Sequence, residues 1–340
     1  MKVIAIHGAG GPETLVLEER EKPEAPYRHL LIKVHATAVN RADIMQRMGF
    51  YPAPAGCVKD VPGLEFVGQI QSLGPGCHLD HLVGDRVMGL MPGGTYQEYL
   101  TIDESLVLPI PEQYDFIKAA AIPEAYITAF DALVLQGGMR PGHRVLVSAA
   151  ASSVGVAAAQ LIKAWHGTGI GTTRNAQKLT QLADLYDKAI VCKSTEINGR
   201  TLPGFAPGVR SYLETLSGTA NGALDLVLEL AGGDYIEESL DLMTDRGIIV
   251  LVGLLAGRTT QLSINKILSK RISLIGTTLR ARSLAEKAGV VRAFEKQVLP
   301  LFARGLLDPV VDKVFRLDQA GEAHAYLESN ANIGKVVLEV

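Results

Sequence analysis

The chain has 340 residues and a formal net charge of −3, and a typical domain size of about 150 residues suggests two domains. Apolar residues make up 47% and charged residues 20%, a composition that excludes a disordered chain. Charges of both signs are scattered, so no basic face exists for a phosphate backbone, and we predict no nucleic-acid partner. Cys57, Cys77 and Cys192 are too few and too dispersed for a disulfide framework or a four-cysteine zinc site. The N-terminus is interrupted by glycine too early for a signal peptide, and we predict a cytoplasmic protein.

The first part of the chain, up to about residue 110, is predicted to be rich in β-strands. Short apolar runs such as KVIAIH and LLIKVHA are separated by Gly, Pro and Asp, which is typical of strands joined by turns. Two helices are predicted next, over DFIKAAAI and EAYITAFDALVLQ. The second helix should end at Gly137 and Gly138, because glycine is a common helix stop.

From Arg140 onward, apolar strands alternate with helices. This alternation predicts a parallel sheet covered on both faces, and six such strands favour a doubly wound dinucleotide-binding fold. The tail, from a long helix at 283–304 to the final strand GKVVLEV, is expected to return to the first domain. The predicted strands are 144–149, 167–173, 188–192, 223–230, 247–254 and 272–278, and the helices between them include 154–165, 175–185 and 234–243.

One uncharged stretch, from Val145 to Ile162, superficially fits a short membrane span. Its pattern changes midway, however, from β-branched and aliphatic residues to a turn of small residues and then to an alanine-rich run. We therefore predict a strand, a tight turn and a helix here, and no association with a membrane.

The turn after this strand reads SAAASSVG at 148–155 and is a candidate phosphate site. In dinucleotide folds, glycines at this point let the backbone approach the pyrophosphate, which then lies at a helix N-terminus. Only Gly155 remains of the usual glycines, but the hydroxyls of Ser152 and Ser153 would add donors to phosphate. The alternative is an ordinary strand-to-helix turn. The segment GTGIG at 167–171 looks more like a glycine fingerprint, yet it lies in the predicted second strand and is interpreted as a decoy.

The end of the second strand bears on cofactor choice. An NAD-preferring fold places Asp or Glu about 20 residues after the glycine turn, whereas a 2′-phosphate needs a cation there. No acid occurs between 168 and 183, while Arg174 and Lys178 supply positive charge and Thr173 supplies a hydroxyl. These residues favour NADPH. The alternative is a solvated basic surface at the start of a helix.

Several long motifs in the same order resemble the zinc-less quinone oxidoreductases of the medium-chain dehydrogenase/reductase superfamily, and in particular their stress-inducible NADPH:quinone oxidoreductase branch. The resemblance implies a GroES-like β-barrel substrate domain at 1–123 and 280–340, a Rossmann NADPH-binding domain at 124–279, and an active site in the cleft between them. The matching segments are AVNRADIMQRMGFYP (38–52), VPGLEFVGQI (61–70), VGDRVMGL (83–90), GGTYQEY (93–99), AAIPEAYITAFDAL (120–133), the turn at 148–155, LELAGG (228–233), VLVGLLAG (250–257) and NIGKVVLEV (332–340).

The same resemblance implies that no metal is bound. Zinc alcohol dehydrogenases of this superfamily carry a Cys where Asn40 stands and a His where Leu64 stands, so two zinc ligands are replaced. Without a Lewis acid, formation of an alkoxide from an alcohol loses its main stabilisation, and alcohol oxidation is not expected. Asp43 and Glu65 are then interpreted as structural, hydrogen-bonded to backbone or arginine. The run CHLDH at 77–81 is interpreted as a surface loop rather than a metal site.

The family motifs also imply roles for individual residues. Asn40 and Tyr51 would lie near the nicotinamide as catalytic residues, with Tyr51 donating a hydrogen bond to the acceptor carbonyl; the alternative for Tyr51 is a packed side chain beside Pro52. In two places the chain departs from the family: Ser153 stands where glycine is usual, and Cys192 stands where many relatives carry a tyrosine near the 2′-phosphate. The implied cofactor-binding residues are Thr128, Ser152, Ser153, Val154, Gly155, Thr173, Arg174, Lys178, Gly232, Gly253, Leu254 and Asn332.

The sequence therefore predicts an NADPH-dependent reductase that transfers a hydride to a small quinone without a metal. Two alternatives remain open: an enone or enoyl reductase on the same scaffold, and a non-catalytic NADPH-binding protein. The resemblance also implies a homodimer, formed by pairing the edge strand near 272–278 across a two-fold axis, and the apolar ISLIGTT would be an aggregation-prone edge if left uncovered.

Overall fold

The computed structural model describes residues 1–54, 56–197, 200–217 and 223–340, and this part of the chain divides into two compact units. Unit 1 comprises Met1–Ile127 and Leu279–Val340, and unit 2 comprises Thr128–Thr278.

Unit 1 begins with strands joined by short turns. Its last elements follow unit 2 in the chain and are given after it. In chain order the first elements are β1 (Lys2–Ile6), β2 (Leu15–Glu19), β3 (His29–Val39), α1 (Arg41–Arg47), β4 (Glu65–Leu73), β5 (Arg86–Leu90), β6 (Tyr99–Asp103), β7 (Val107–Pro109) and α2 (Phe116–Ala119). The next helix, α3 (Pro123–Phe130), begins in unit 1 and ends in unit 2.

Unit 2 alternates strands and helices, as predicted. Its elements are β8 (Arg144–Val147), α4 (Ser153–Ala164), β9 (Thr168–Thr173), α5 (Leu179–Ala183), β10 (Lys188–Val191), β11 (Thr195–Ile197), β12 (Arg200–Leu202), α6 (Ala206–Ser217), β13 (Leu224–Glu229), α7 (Tyr235–Leu240), β14 (Met243–Leu251), α8 (Ile264–Lys270) and β15 (Ser273–Gly276). The chain then completes unit 1 with α9 (Leu284–Gln297), α10 (Leu299–Ala303), β16 (Val311–Arg316), α11 (Ala320–Glu328) and β17 (Lys335–Glu339).

The sheet of unit 1 combines strands from both ends of the chain. Within the described residues its order is β16-β17-β3-β4-β5-β7, with β6 also paired to β3. The final strand β17 lies antiparallel to β3, so the tail returns to the first sheet as expected. Buried apolar side chains from β1, β3, α1, α11 and β17 form one core cluster of this unit.

The sheet of unit 2 confirms the predicted doubly wound architecture. Its order in the described part of the chain is β10-β9-β8-β13-β14-β15, with every neighbouring pair parallel. This is the strand order of the dinucleotide-binding fold, which reverses direction between the first strand, β8, and the fourth, β13. Apolar strand and helix residues pack into one core cluster of this unit, because parallel strands are covered on both faces.

Several predicted helices are shorter or interrupted in the structure. The predicted helix 234–243 ends at Leu240 because β14 already begins at Met243, and 175–185 is a 3₁₀ turn followed by α5. The predicted helix 283–304 breaks at Val298, since Pro300 has no N–H for the helical hydrogen bond. The hairpin of β11 and β12 was not predicted.

The uncharged stretch 145–162 forms β8, a turn and α4, as predicted. Among the described residues, no helix combines the length and apolar character needed to cross a membrane.

Candidate functional site

The carboxyl ends of β8 and β13 meet at the point where the strand order of unit 2 reverses. In open parallel sheets, ligands bind in the crevice outside the strand ends at this switch point. Here the buried Ser148, which follows β8, donates a hydrogen bond from Oγ to Glu229 Oε1 at 2.6 Å. The Ser148 hydroxyl also accepts the backbone N–H of Leu230 at 2.7 Å. One side-chain pair therefore connects both chain segments that leave the sheet at the switch point.

Glu229 is a buried acid with uneven hydrogen bonding. Its Oε1 also accepts the backbone N–H groups of Ala231 at 2.6 Å and Gly232 at 2.8 Å. Its Oε2 is buried and has no hydrogen-bond partner among the described residues. Burial raises the pKa of Glu229 to about 7, although the hydrogen bonds from Ser148 and the two backbone groups partly oppose this. Glu229 therefore changes charge near neutral pH.

The turn after β8 delivers the chain directly into α4. Ser152 is the N-cap of this helix, and its Oγ accepts the N–H of Gly155 at 3.1 Å. Gly155 is required by packing, because a Cβ at this position would lie 2.5 Å from the carbonyl oxygen of Ala150. Ser153 and Val154 occupy the first two helical positions and are half-buried. The predicted phosphate-site residues thus lie at the N-terminus of α4, whose backbone N–H groups and dipole favour an anion.

Glycines bring the neighbouring loops close to one another. A Cβ on Gly253 would lie 2.0 Å from the carbonyl oxygen of Leu230, and Gly232 adopts a positive φ of 76°. The adjacent Leu254 is exposed. The segment 167–171 lies in and beside β9, as predicted for the decoy, and a Cβ on Gly171 would lie 2.8 Å from the side chain of Ala150. Gly171 therefore makes room for the turn after β8.

The residues predicted to select the cofactor lie where β9 ends. Thr173 Oγ1 accepts the N–H of Asn175 at 3.1 Å, and Lys178 is buried in the following 3₁₀ turn. Arg174 is exposed, and its guanidinium makes no hydrogen bond or ion pair with the residues that the structure describes. Arg174 is therefore a cation without a counterion among the described residues, and it lies at the end of β9, as predicted.

In unit 1, Asn40 belongs to a buried ionic cluster. Its Nδ2 donates to Glu65 Oε1 at 2.9 Å, and its Oδ1 accepts from Lys335 Nζ at 2.7 Å. Lys335 also pairs with Glu65 at 2.6 Å, and the two side chains are 1% and 0% exposed. The other oxygen of Glu65 accepts the N–H of Glu124 at 2.8 Å. Glu65 is structural as predicted, but its cationic partner is a lysine.

Lys335 was not identified from the sequence. A lysine inside the apolar run GKVVLEV was the available signal, because a charge at a buried strand position needs a partner. The identity of that partner, 270 positions earlier in the chain, could not be derived from the pattern.

Asp43 organises the turn that carries Asn40. Its carboxylate accepts the N–H of Asn40 at 2.8 Å and that of Gly63 at 3.0 Å, which confirms the predicted structural role. Tyr96 donates to the same carboxylate at 3.3 Å and contacts His324 Nε2 at 3.1 Å. Burial raises the pKa of Asp43 to about 6, and burial together with the nearby Arg47 lowers the pKa of His324 to about 3. His324 is therefore neutral at physiological pH.

Tyr51 lies against a buried arginine. The Arg280 guanidinium carbon is 4.8 Å from the centre of the Tyr51 ring, and its Nη1 donates to the Tyr51 carbonyl at 3.1 Å. Arg280 also donates to the carbonyl of Pro92 at 2.6 Å and to Gln46 Oε1. The Tyr51 hydroxyl makes no hydrogen bond with the described residues, and the side chain is half-buried. Tyr51 is thus a rigidly held ring with an available donor.

The remaining predicted residues are buried. Thr128 lies in α3, and Asn332 precedes β17, where its Nδ2 donates to the carbonyl of Gly334 at 2.8 Å. Among the residues described, no group of three or more His, Cys, Asp or Glu side chains could hold a metal ion. In the loop 77–81, Cys77 donates to the His29 carbonyl and His78 pairs with Glu104.

Comparison with known proteins gives two family models and full-length relatives. The model described as "Alcohol dehydrogenase GroES-like domain" matches residues 27–112, and the model described as "Zinc-binding dehydrogenase" matches residues 205–338. The human quinone oxidoreductase is 28% identical over 347 residues, covering 99% of this chain and 97% of that protein. The human synaptic vesicle membrane protein VAT-1 homolog is 28% identical over 358 residues, covering 99% and 86%.

A solved structure, the Escherichia coli quinone oxidoreductase complexed with NADPH, superimposes with a TM-score of 0.85, covering 100% of both chains. Its sequence is 24% identical, so the likeness shows the fold. The GroES-like match and the doubly wound parallel sheet confirm the predicted α/β fold. The chain is similar to quinone oxidoreductases over nearly its whole length, which supports the resemblance predicted from its motifs. Membership of the stress-inducible branch stays a prediction.

The buried pair of Lys335 and Glu65 generates a stability prediction. Lys335→Met should lower the free energy of unfolding by roughly 3 to 5 kcal/mol, because Glu65 is left as an unpaired buried charge. The double variant Lys335→Met/Glu65→Gln should recover part of this loss. Urea denaturation measures both, with the exposed Lys313→Met as the matched control. A single variant as stable as the wild type would contradict the assigned pair.

Glu229 generates a pH prediction. The folded protein retains the proton on Glu229 up to a pH of about 7, whereas the ordinary pKa of a glutamate carboxyl is 4.5. The stability contribution of this group therefore falls as the pH rises from 4.5 to 7. Glu229→Gln keeps an Oε1 acceptor and removes the ionisation. It should equal the wild type near pH 4 and be more stable by about 3 kcal/mol at pH 8.

Thermal unfolding across this pH range checks the prediction. The exposed Asp184→Asn in the same unit is the control and should leave the profile unchanged. A wild-type-like pH slope in Glu229→Gln would show that Glu229 does not titrate near neutrality.

Proposed function

We propose that this protein is an NADPH-dependent reductase that transfers a hydride to quinones without a metal ion. Its similarity to quinone oxidoreductases over nearly the whole chain supports the reaction class. The observation that carries the cofactor choice is the unpaired Arg174 at the end of β9, in a stretch that contains no acid from residue 168 to 183.

The carboxyl edge of the unit 2 sheet fits a dinucleotide. Gly155 and Gly253 occupy places where a Cβ would collide with backbone, so the turn after β8 and the loop after β14 can follow their close courses only with glycine at these positions. Ser152, Ser153 and Val154 would present the N-terminus of α4 to the pyrophosphate. Ser153 in place of glycine adds a hydroxyl without a partner in the described structure.

The adenosine and nicotinamide ends of the cofactor would contact different residues. Thr173, Arg174 and Lys178 would hold the 2′-phosphate, and Gly232 would lie near the adenosine half. Gly253, Leu254, Thr128 and Asn332 would contact the nicotinamide side, as the family motifs imply.

NADPH, when bound, supplies the hydride from the nicotinamide C4. Tyr51 donates a hydrogen bond to the acceptor carbonyl, where negative charge develops. The Arg280 cation over the Tyr51 ring favours this charge and fixes the ring, and the Tyr51 hydroxyl has no competing partner. Both polar atoms of the Asn40 amide are held by Glu65 and Lys335, so Asn40 contributes a fixed surface beside the acceptor.

The replaced zinc ligands support a reaction without metal. Asn40 and Leu64 stand at the two ligand positions, and the cation beside Asn40 and Glu65 is the Lys335 ammonium. Hydride transfer to a quinone gives a stabilised hydroquinone anion, so this step does not need a strong acid. An enone, in contrast, needs a proton at the α-carbon, and Tyr51 would supply it.

The decisive experiment measures steady-state oxidation of NADPH and NADH with a panel of quinones and α,β-unsaturated ketones, with and without a chelator. We expect quinone-dependent NADPH oxidation that persists in the chelator, and elemental analysis without stoichiometric zinc. Tyr51→Phe should slow quinone reduction by roughly 2- to 10-fold, the value of one neutral hydrogen bond, and should slow any enone reduction more.

The matched control is the exposed Tyr27→Phe, which should leave both rates unchanged. Faster turnover of enones than of quinones would instead identify an enone reductase. Tight NADPH binding without turnover of either class would identify a non-catalytic NADPH-binding protein.

Arg174→Ala tests the cofactor choice. A charge-assisted hydrogen bond is worth about 1.5 to 3 kcal/mol, so KM for NADPH should rise roughly 10- to 150-fold while KM for NADH stays unchanged. The rise should shrink at high salt, because the lost contact is ionic. Arg210→Ala, an exposed arginine on α6, is the control. If the wild type uses NADPH and NADH equally, or if Arg174→Ala raises KM for both cofactors equally, the assignment of Arg174 to the 2′-phosphate is wrong.

We also propose a cytoplasmic homodimer, supported by the apolar edge of unit 2. Within the described residues β15 pairs with β14 on one side and with no strand on the other. On the neighbouring helix α8, Ile264 and Leu268 are 76% and 75% exposed and lie four residues apart, on one face. An uncovered apolar edge of this kind favours pairing with a second copy.

Sedimentation equilibrium should give about twice the chain mass of 36.4 kDa. Leu268→Glu should shift the protein towards monomer, because a carboxylate would be buried in the contact. Leu82→Glu, at an equally exposed leucine in unit 1, should not. A monomer mass for the wild type at working concentration refutes the dimer.

A further inference from the structure

Two side chains that the proposed function does not use, Cys192 and Tyr235, contact each other in unit 2. Cys192 follows β10, and Tyr235 is the first residue of α7. The Tyr235 hydroxyl donates to Cys192 Sγ at 3.6 Å. The ring is 7% exposed and stacks on Phe205 with centroids 5.6 Å apart and planes 23° apart. Packing of the ring therefore fixes where the hydroxyl lies.

The hydroxyl of Tyr235 is a donor with a poor acceptor. A thiol sulfur accepts hydrogen bonds weakly, and the described structure gives this hydroxyl no other partner. Burial raises the pKa of Tyr235 and also that of Cys192, so both groups are neutral at physiological pH. A buried O–H group that donates only to sulfur forms a more favourable hydrogen bond when a stronger acceptor binds beside it.

Cys192 lies beside the strand end that carries Arg174, because its backbone N–H donates to the Thr173 carbonyl at 2.8 Å. The Arg174 guanidinium acts on both groups and opposes the increase in pKa that burial causes. Arg174 has no ion pair among the described residues. The carboxylate of Glu238 also acts on Cys192, but its oxygens accept the N–H groups of Gly204 and Ala206 at 2.8 and 2.7 Å. The cluster therefore combines the Arg174 cation, which has no counterion among the described residues, with the Tyr235 hydroxyl, whose acceptor is weak.

An anion with several acceptor oxygens satisfies both groups at once. On the proposed function, the 2′-phosphate of NADPH is the anion that reaches the end of β9. We propose that Tyr235 is a specificity-determining residue for the cofactor: its hydroxyl leaves Cys192 Sγ and donates to the 2′-phosphate that Arg174 binds. This inference rests on the proposed use of NADPH. It adds Tyr235, which follows β13, to the 2′-phosphate-binding residues that follow β9, on the other side of the point where the strand order reverses.

Calorimetric titration with adenosine 2′,5′-bisphosphate and adenosine 5′-monophosphate tests the inference without catalysis. The wild type should prefer the bisphosphate. Tyr235→Phe should weaken the bisphosphate by roughly tenfold, the value of one hydrogen bond to a charged group, and leave the monophosphate unchanged. Phenylalanine retains the stacking on Phe205, and thermal unfolding checks that the fold is intact.

Tyr212→Phe is the matched control. Tyr212 lies on α6 of the same unit, and the charge that affects the pKa of its hydroxyl is that of Asp187 rather than that of an arginine. Removal of the Tyr212 hydroxyl should change the affinity for neither nucleotide. Equal wild-type affinity for the two nucleotides overturns the proposed NADPH preference and this inference with it. A wild-type preference that Tyr235→Phe retains in full overturns the inference alone and leaves Arg174 as the selecting residue.

Discussion

The hydrogen bond between Ser148 and Glu229 is the interaction on which the carboxyl edge of the unit 2 sheet depends. It joins the segment after β8 to the segment after β13, where the sheet reverses its strand order. The same carboxylate oxygen accepts two backbone N–H groups, so it also sets the course of the loop that contains Gly232. Because burial raises the pKa of Glu229 to about 7, a change in its charge near neutral pH would act on this loop.

Unit 1 also contains a buried carboxylate, and there a buried lysine compensates its charge. Glu65 is completely enclosed, and Lys335 compensates its charge while fixing the amide of Asn40. The two residues predicted to be catalytic thereby differ in kind. Asn40 has both polar atoms engaged within the chain, whereas Tyr51 keeps its hydroxyl available and has its ring held by Arg280. The available hydrogen-bonding chemistry of the proposed acceptor site is accordingly concentrated in Tyr51.

The fold of unit 2 was predictable because its signals are local. Each buried strand of a parallel sheet is a short continuous apolar run, and the helices between such runs have a different period. The errors were also local: Pro300 breaks the predicted helix 283–304, and the start of β14 shortens the predicted helix 234–243. The position of the candidate phosphate turn followed from its context after β8, even though Gly155 alone remained of the usual glycines.

Most of the order of strands and helices, the turn after β8 and the charge at Arg174 were predictable from the residues alone, because they depend on neighbours a few positions apart. Tertiary structure decided the partners: Lys335 reaches Asn40, Arg280 reaches Tyr51, and Tyr235 reaches Cys192. Sequence reasoning treated Cys192 as the loss of a cofactor contact, and the fold brings a tyrosine hydroxyl to that same sulfur from α7. Such pairings depend on distances through space between chain-distant segments, and a residue pattern in one dimension does not contain those distances.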